Sequence, residues 1–192
     1  AVSGIDVGYV EEENRPLLVG ERTNVIGSRK FRQLIADGKY EEAADIARAQ
    51  VKRGAQIIDI CLADPDRDEY ADMERFLRFV VKKVKAPLML DSTDAKVLEL
   101  GLKHSQGKAI INSINLEEGE TRFAQVVPLI RKYGAAVVVG TIDEQGMAIT
   151  RERKLQVAKR AYDLLVNRWG INPHDIIFDP LVFPVGTGDE QY

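Results

Sequence analysis

The sequence carries one cysteine, Cys61, in 192 residues, so no intrachain disulfide can form and a disulfide-stapled scaffold is excluded. A lone thiol fits a reducing compartment, and the cytoplasm is the expected location. Cys61 ends an apolar run and reads first as a small buried hydrophobe. Histidine is also scarce: His104 and His174 lie far apart, neither with a second histidine or a cysteine at ligand spacing, and no metal site is expected. His104 closes a helical segment, where it complements the helix dipole. There is no apolar run of the roughly 18 residues that a membrane span requires. The N-terminus has Asp6, Glu11, Glu12 and Glu13 where a signal peptide would place basic and then apolar residues, so neither insertion nor secretion is expected. Basic excess is missing too. Lys and Arg number 27 against 30 Asp and Glu, a net charge of -3 that leaves no electrostatic footprint for nucleic acid.

What is present is an ordinary globular balance, 45% hydrophobic and 30% charged, on a chain long enough to bury one sizeable core. One construction recurs. Pro87-Leu88-Met89-Leu90-Asp91-Ser92 is a short apolar run ending abruptly in a carboxylate and a hydroxyl. Ile57-Ile58-Asp59, Ala109-Ile110-Ile111-Asn112-Ser113 and Ile176-Ile177-Phe178-Asp179-Pro180 repeat it, each after an amphipathic helix-like segment. Apolar strands alternating with helices predict a parallel α/β fold. If the strands close into a barrel, their carboxyl ends share one face, where such folds keep their chemistry.

In chain order, residues 1–16 are polar and aperiodic and read as a tail or linker. Residues 17–19 form a first strand that ends in Gly20-Glu21-Arg22-Thr23-Asn24, placing Glu21 and Asn24 at its exit, although Thr23 or Asn24 reads equally well as a turn cap. Helices are predicted over 31–36, 40–53, 71–85, 94–104, 121–133 and 150–169. Gly54 and Gly170 act as stops, and Pro128 implies a kink or break. Strands are predicted over 56–62, 87–92, 108–114, 135–142 and 175–182. The acidic loop 63–69 lacks the glycine and distal glutamate of a calcium loop and reads as a solvated turn. Ser92, Thr93 and Asp94 are all good caps, so Asp91 has a purely local reading as well. Gly186-Thr187-Gly188 is a weak phosphate-type signal that turn glycines explain equally well. About six strands and five substantial helices fall two units short of a (β/α)₈ barrel. An open doubly wound sheet is the alternative, but its glycine fingerprint is missing after the first strand.

Five runs occur in order and at barrel spacing: Val19-Gly20-Glu21-Arg22-Thr23-Asn24, Leu88-Met89-Leu90-Asp91-Ser92, Ile110-Ile111-Asn112-Ser113-Ile114, Val139-Gly140-Thr141-Ile142-Asp143 and Ile177-Phe178-Asp179-Pro180-Leu181. In that combination the chain resembles the pterin-binding (methyltetrahydrofolate) domains of the cobalamin-dependent methionine synthase family. Dihydropteroate synthase and the corrinoid protein methyltransferases of acetogens belong to the same wider group. The resemblance implies a TIM (β/α)₈ barrel, here incomplete, occupying 17–192 and stopping before strands seven and eight.

It also implies that Asp91, Asn112 and Asp179 hydrogen-bond the pyrimidine edge of the pterin, with Glu21 and Asn24 lining the same mouth. Those types suit the ring, since carboxylates accept from its N–H donors and a carboxamide both donates and accepts. The implied activity is a methyltransferase step in which the N5 methyl of 5-methyltetrahydrofolate passes to cob(I)alamin on the way to homocysteine. Cobalamin and homocysteine would be held by other domains. The family's asparagine for the N5 step belongs to a seventh strand beyond residue 192, so the catalytic group is not in this sequence and full turnover is not expected of the chain alone. Many relatives carry asparagine where Cys61 stands, so no polar contact is expected there. The rival readings are a dihydropteroate synthase-like enzyme and a non-catalytic fragment of the barrel. Self-association through an open barrel edge is a further expectation.

Overall fold

The structure, a computed structural model, describes residues 1–11, 13 and 15–182. The chain forms two compact units. The first comprises Ala1–Asn112 with Tyr133–Ala135, and the second comprises Ser113–Lys132 and the chain from Ala136 onward.

In the first unit a β-hairpin, β1 (Val2–Ser3) and β2 (Val7–Gly8), precedes a parallel set made of β3 (Val19–Gly20), β4 (Ile57–Ile60), β5 (Leu88–Asp91) and the start of β6 (Ile110–Ile114). Val19 aligns with Ile57, Asp59 with Met89, Leu90 with Ile111, and Asp91 with Asn112. The intervening helices are α1 (Arg29–Ala36), α2 (Tyr40–Lys52), α3 (Glu69–Lys83) and α4 (Ala95–His104). Local chemistry starts three of them: Ser28, Asp68 and Asp94 each accept a backbone N–H of the first turn. Every residue of β4 is buried, as expected of a parallel strand covered on both faces. Met73, Phe76, Leu77 and Val80 give α3 a fully buried stripe, and Phe31 of α1 meets Phe76 edge-on at 5.1 Å between ring centres. Gly101 is required by packing, because a Cβ there would lie 2.7 Å from Leu90 Cδ1.

Three features of this unit differ from the sequence expectations. Residues 1–8 are not a free tail. Val2 is buried, Ser3 N–H donates to the Lys108 carbonyl (2.9 Å), and Asp6 N–H donates to the Lys85 carbonyl (3.0 Å), so the hairpin docks where β5 and β6 begin. The alternation signal was missed because each strand is only two residues long. The loop 63–69 is only partly solvated. Asp64 is buried and takes a bidentate contact from Arg32 at 2.8 and 3.2 Å, and Arg67 donates to the buried Asp72 at 2.7 and 2.9 Å, which also accepts from Tyr40 Oη. The strands are also shorter than their apolar runs, because the residues beyond the ladder turn into the loops.

The second unit contains the end of β6, α5 (Thr121–Tyr133, up to Lys132), β7 (Ala136–Gly140), a short hairpin β8 (Ile142–Asp143) and β9 (Gly146–Met147), α6 (Arg151–Asp163) and β10 (Ile176–Asp179). Strand β10 runs parallel to β7, with Asp179 opposite Gly140. Pro128 does not break α5, which is continuous around it. The long final helix does change character: after α6 it continues as a π-helical turn, Leu164–Arg168, with Trp169 N–H donating to the Leu164 carbonyl at 3.1 Å. Gly170, at φ +67°, ends it as expected. Strand β7 is buried throughout, whereas β10 leaves Ile177 40% and Phe178 36% exposed. Gly186-Thr187-Gly188 lies outside the described residues.

Candidate active site

The first unit concentrates its buried polar groups at the carboxyl ends of β3 to β6. The register explains why. Asp91 and Asn112 are directly paired, the Ile60–Leu90 pairing carries on to Cys61 beside Asp91, and Cys61 bridges to Asn24. Asn24, Cys61, Asp91 and Asn112 therefore form one row across four strands. Asp59, two residues before Cys61 on β4, projects from the same face one step below.

Asp59 is the centre of this constellation and is 2% exposed. Its Oδ2 accepts from Asn24 Nδ2 at 3.3 Å and its Oδ1 from Asn112 Nδ2 at 3.5 Å. Its backbone carbonyl accepts from the buried Thr23 hydroxyl. Burial, and then the neighbouring Asp91 carboxylate, push Asp59 up to about 7, while the two asparagines pull the other way. Asp91 is raised as well, first by burial, with the Cys61 thiol opposing as a hydrogen-bond donor and Glu69 and Glu21 adding negative charge. Near neutrality the pair can hold a proton, so one member offers an O–H donor and the other an acceptor.

Cys61 is buried, as its composition suggested, and it is also polar in use, contrary to the expectation for this position. Its thiol donates to Asp91 and its sulfur accepts from Ala63 N–H. Burial pushes the thiol up to about 12, so it is a hydrogen-bond donor and not a nucleophile. Asn24 combines both readings given to it: its Oδ1 accepts from Ile26 and Gly27 N–H at 2.9 and 3.1 Å as a turn cap, while its Nδ2 serves Asp59. Glu21 is exposed beside this group, its charge acting on Asp59 and Asp91.

Asp179 belongs to the second unit. It is exposed at the end of β10, its carboxylate accepts from Leu181 N–H at 2.8 Å, and its carbonyl takes both the N–H and the hydroxyl of Thr141, at 3.1 and 3.2 Å. Asp59 was expected on this face but not among the residues implied to contact the ring, and Glu69 was not expected in the site. Asp59 was legible as one of the four strand-end polar groups. Glu69 was masked by its place in an acidic loop. Among the described residues no group of three or more His, Cys, Asp or Glu is arranged to hold a metal, and no helix is long and apolar enough to cross a membrane.

A family model described as pterin binding enzyme matches residues 20–192. Among solved structures, the dihydropteroate synthase of Xanthomonas albilineans in complex with 7,8-dihydropteroate superposes with a TM-score of 0.65 at 17% identity, over 93% of this chain and 65% of that one. The same organism's enzyme in complex with indole-2-carboxylic acid and 6-chloroguanine gives 0.64 at 16% identity, over 94% and 66%. The 7,8-dihydropteroate synthase of Vibrio fischeri gives 0.61 at 18%, over 94% and 66%. The present chain thus spans about two-thirds of the length of the chains it matches. At such identities the likeness speaks for the fold. It is the α/β barrel architecture expected from the sequence, represented among the described residues by six strands with their helices, and not an open doubly wound sheet.

Proposed function

Because the chain belongs to the pterin binding enzyme family, we propose that its strand-end carboxyl row binds the pterin ring of a reduced folate and presents the N5 methyl group of 5-methyltetrahydrofolate for transfer. The observation that carries this reading is the pair of buried Asp59 and half-buried Asp91, flanked by two carboxamides and poised to hold a proton near pH 7. The pyrimidine edge of a pterin offers an amino group and a ring N–H beside a carbonyl and a ring nitrogen. An ionised Asp91 accepts from the donors, while neutral Asp59 and the amides of Asn24 and Asn112 supply the complementary donor capacity. Burial strengthens each of these contacts and makes an unmatched ring costly to bind.

The methyl acceptor in this reading is cob(I)alamin, a strong nucleophile carried by another domain, with homocysteine held by a third. What this chain's residues contribute is orientation of the ring and exclusion of water. A contact of Asp179, in the second unit, with a ring nitrogen is implied by the resemblance alone. Departure of the amine is helped by protonation or strong hydrogen bonding at N5, general-acid or electrostatic assistance that no residue described above is assigned to provide. The Gly20-Glu21-Arg22-Thr23-Asn24 run favours the methyltransferase over the synthase. The chemistry and the buried unpaired thiol both suit the cytoplasm.

The rival is a dihydropteroate synthase-like reaction, favoured by the named activities of the structural neighbours. Calorimetric titration with 5-methyltetrahydrofolate and with 6-hydroxymethyl-7,8-dihydropterin pyrophosphate separates the two. Tighter binding of the methylated folate is expected, preference for the pyrophosphate would replace the methyltransferase reading by the synthase one, and binding of neither would remove the pterin assignment.

A further inference from the structure

The chain leaving β3 carries one residue more than the strand beside it. Gly20 aligns with Ile58 in the ladder, and further along Asn24 bridges to Cys61. That is a step of four residues after β3 against three on β4, so one of the residues 21–23 has no counterpart, as in a β-bulge. The extra residue decides where Asn24 points. Side chains alternate along a strand, so a regular continuation would send Asn24 to the same face as Gly20. That face is covered by α2 and its exit: a Cβ at Gly20 would lie 2.7 Å from Gln50 Oε1 and 3.1 Å from Ala55 Cβ. The bulge turns Asn24 over to the face of Asp59, where its Nδ2 donates to Asp59 Oδ2 at 3.3 Å.

A bulge disrupts the ladder and leaves backbone groups to be satisfied elsewhere. Here a side chain takes one of them: the Arg22 N–H donates to Gln50 Oε1 at 2.7 Å. The Nε2 of the same amide donates to Thr23 Oγ1 at 3.5 Å, and the Thr23 hydroxyl, 0% exposed, donates in turn to the Asp59 carbonyl. Beyond the bulge the pairing resumes, with Cys61 N–H donating to the Thr23 carbonyl at 3.1 Å and Val25 N–H to the Cys61 carbonyl at 3.0 Å. Gln50 is itself well fixed, because its own carbonyl accepts from Arg53 and Ala55 N–H, both at 3.0 Å, where α2 ends and the chain turns towards β4. We propose that Gln50 is a positioning residue for the candidate site, its amide capping the extra residue after β3 so that Asn24 is delivered to Asp59. Gly20 serves the same end by leaving room for that amide. Only a carboxamide fits both contacts, since a carboxylate can accept from Arg22 but not donate to Thr23, and an apolar side chain can do neither.

The ligand in this inference rests on the pterin reading, but the bulge does not, and the test keeps them apart. In the ligand-free protein, hydrogen exchange of the Arg22 amide and the NMR signals of the Asn24 side-chain amide are followed in wild type, Gln50→Met and Gln50→Glu. Gln50→Met, which keeps the length of the side chain, should speed Arg22 exchange by about tenfold, the loss of one hydrogen bond, and should shift the Asn24 signals. Gln50→Glu still accepts from Arg22, and its Arg22 exchange should stay within about threefold of wild type. Pterin itself then serves as the binding probe. Gln50→Met should weaken it by about tenfold. In an Asn24→Ala background the same change should cost nothing further, because Gln50 acts through Asn24. Arg22 exchange and Asn24 signals unmoved in Gln50→Met, or binding losses that simply add in the double variant, overturn the proposal, even if the urea midpoint falls. Altered Arg22 and Asn24 signals in a protein that binds no pterin support the role of Gln50 and remove only the pterin reading.

Discussion

Strands β4 and β10 are written in nearly the same way, Ile57-Ile58-Asp59 and Ile176-Ile177-Phe178-Asp179, and they end in opposite environments. In β4 every residue is buried and Asp59 is 2% exposed between two asparagines. In β10 the pattern is one half-buried residue followed by three exposed ones, and the Asp179 carboxylate accepts from a neighbouring backbone N–H. The difference lies in the neighbours. β4 pairs on both sides, with β3 and β5, and is covered by helices, whereas the described pairing of β10 is with β7. An apolar run ending in aspartate specifies a parallel strand and the face its carboxylate reaches. It does not specify the charge state there, which depends on what covers it.

The largest test of that contrast is truncation of matched aliphatic residues. Ile58 is 0% exposed and Ile177 is 40% exposed. Ile58→Ala should cost about 2 to 5 kcal/mol of unfolding free energy and Ile177→Ala less than about 1 kcal/mol, as measured by urea denaturation. Equal losses would show that β10 is as well covered in solution as β4.

Next in size is the pH dependence that β4 introduces. Asp59 has a folded value raised to about 7 from an ordinary 3.8. A raised folded value means that the folded state holds the proton more tightly than the unfolded one. The resulting stability is complete below about pH 4 and is lost as pH rises towards 7, on the order of 2 to 4 kcal/mol. Asp91 and Glu69, raised mainly by burial, add in the same direction. Asp59→Asn removes the Asp59 share, so the variant should gain stability relative to wild type between pH 4 and pH 8. A wild-type-minus-variant difference that stays constant over that range would mean that Asp59 is already ionised in the folded protein at low pH.

For β10 the matching measurement is binding. Asp179→Ala should weaken 5-methyltetrahydrofolate by about 1.5 to 3 kcal/mol, the range for a hydrogen bond to a charged group. Unchanged affinity by calorimetry would leave the Asp179 carboxylate with a local role, its contact to the Leu181 N–H.

How far the sequence could be read depended on the length scale of each signal. The alternation of aliphatic runs and amphipathic helices was legible from about Val19 onward, because parallel strands buried on both faces have no other composition. Asp91 and Asn112 were legible because each ends such a run, and Asn24 because it closes the Gly20-Glu21-Arg22-Thr23-Asn24 run at the exit of the first strand. The N-terminal hairpin was not, since two-residue strands carry no period and their hydrogen bonds go to the Lys85 and Lys108 carbonyls, distant in sequence. Glu69 and Asp64 were hidden for a related reason. A carboxylate in an acidic loop looks solvated until its partner, Ser92 or Arg32, is known. The polar use of Cys61 likewise emerged only from the register that sets it beside Asp91.

The smallest effect asks whether the contrast between β4 and β10 is local or belongs to their whole units. Asp68 caps α3 in the first unit by accepting from Ala71 N–H at 3.0 Å, and Thr150 caps α6 in the second by accepting from Arg153 N–H at 3.2 Å. Both are exposed, so removing either side chain deletes one capping hydrogen bond with little packing change. Asp68→Ala and Thr150→Ala should each cost about 1 kcal/mol. If the difference between the strands is confined to their immediate cover, the two variants will lower the midpoint of a single unfolding transition by similar amounts, because both caps are lost in the same cooperative step. If Thr150→Ala instead leaves the main transition in place and moves a separate, earlier one, the second unit unfolds by itself. The exposure of Ile177 and Phe178 would then reflect the low stability of that whole unit and not the missing cover of a single strand.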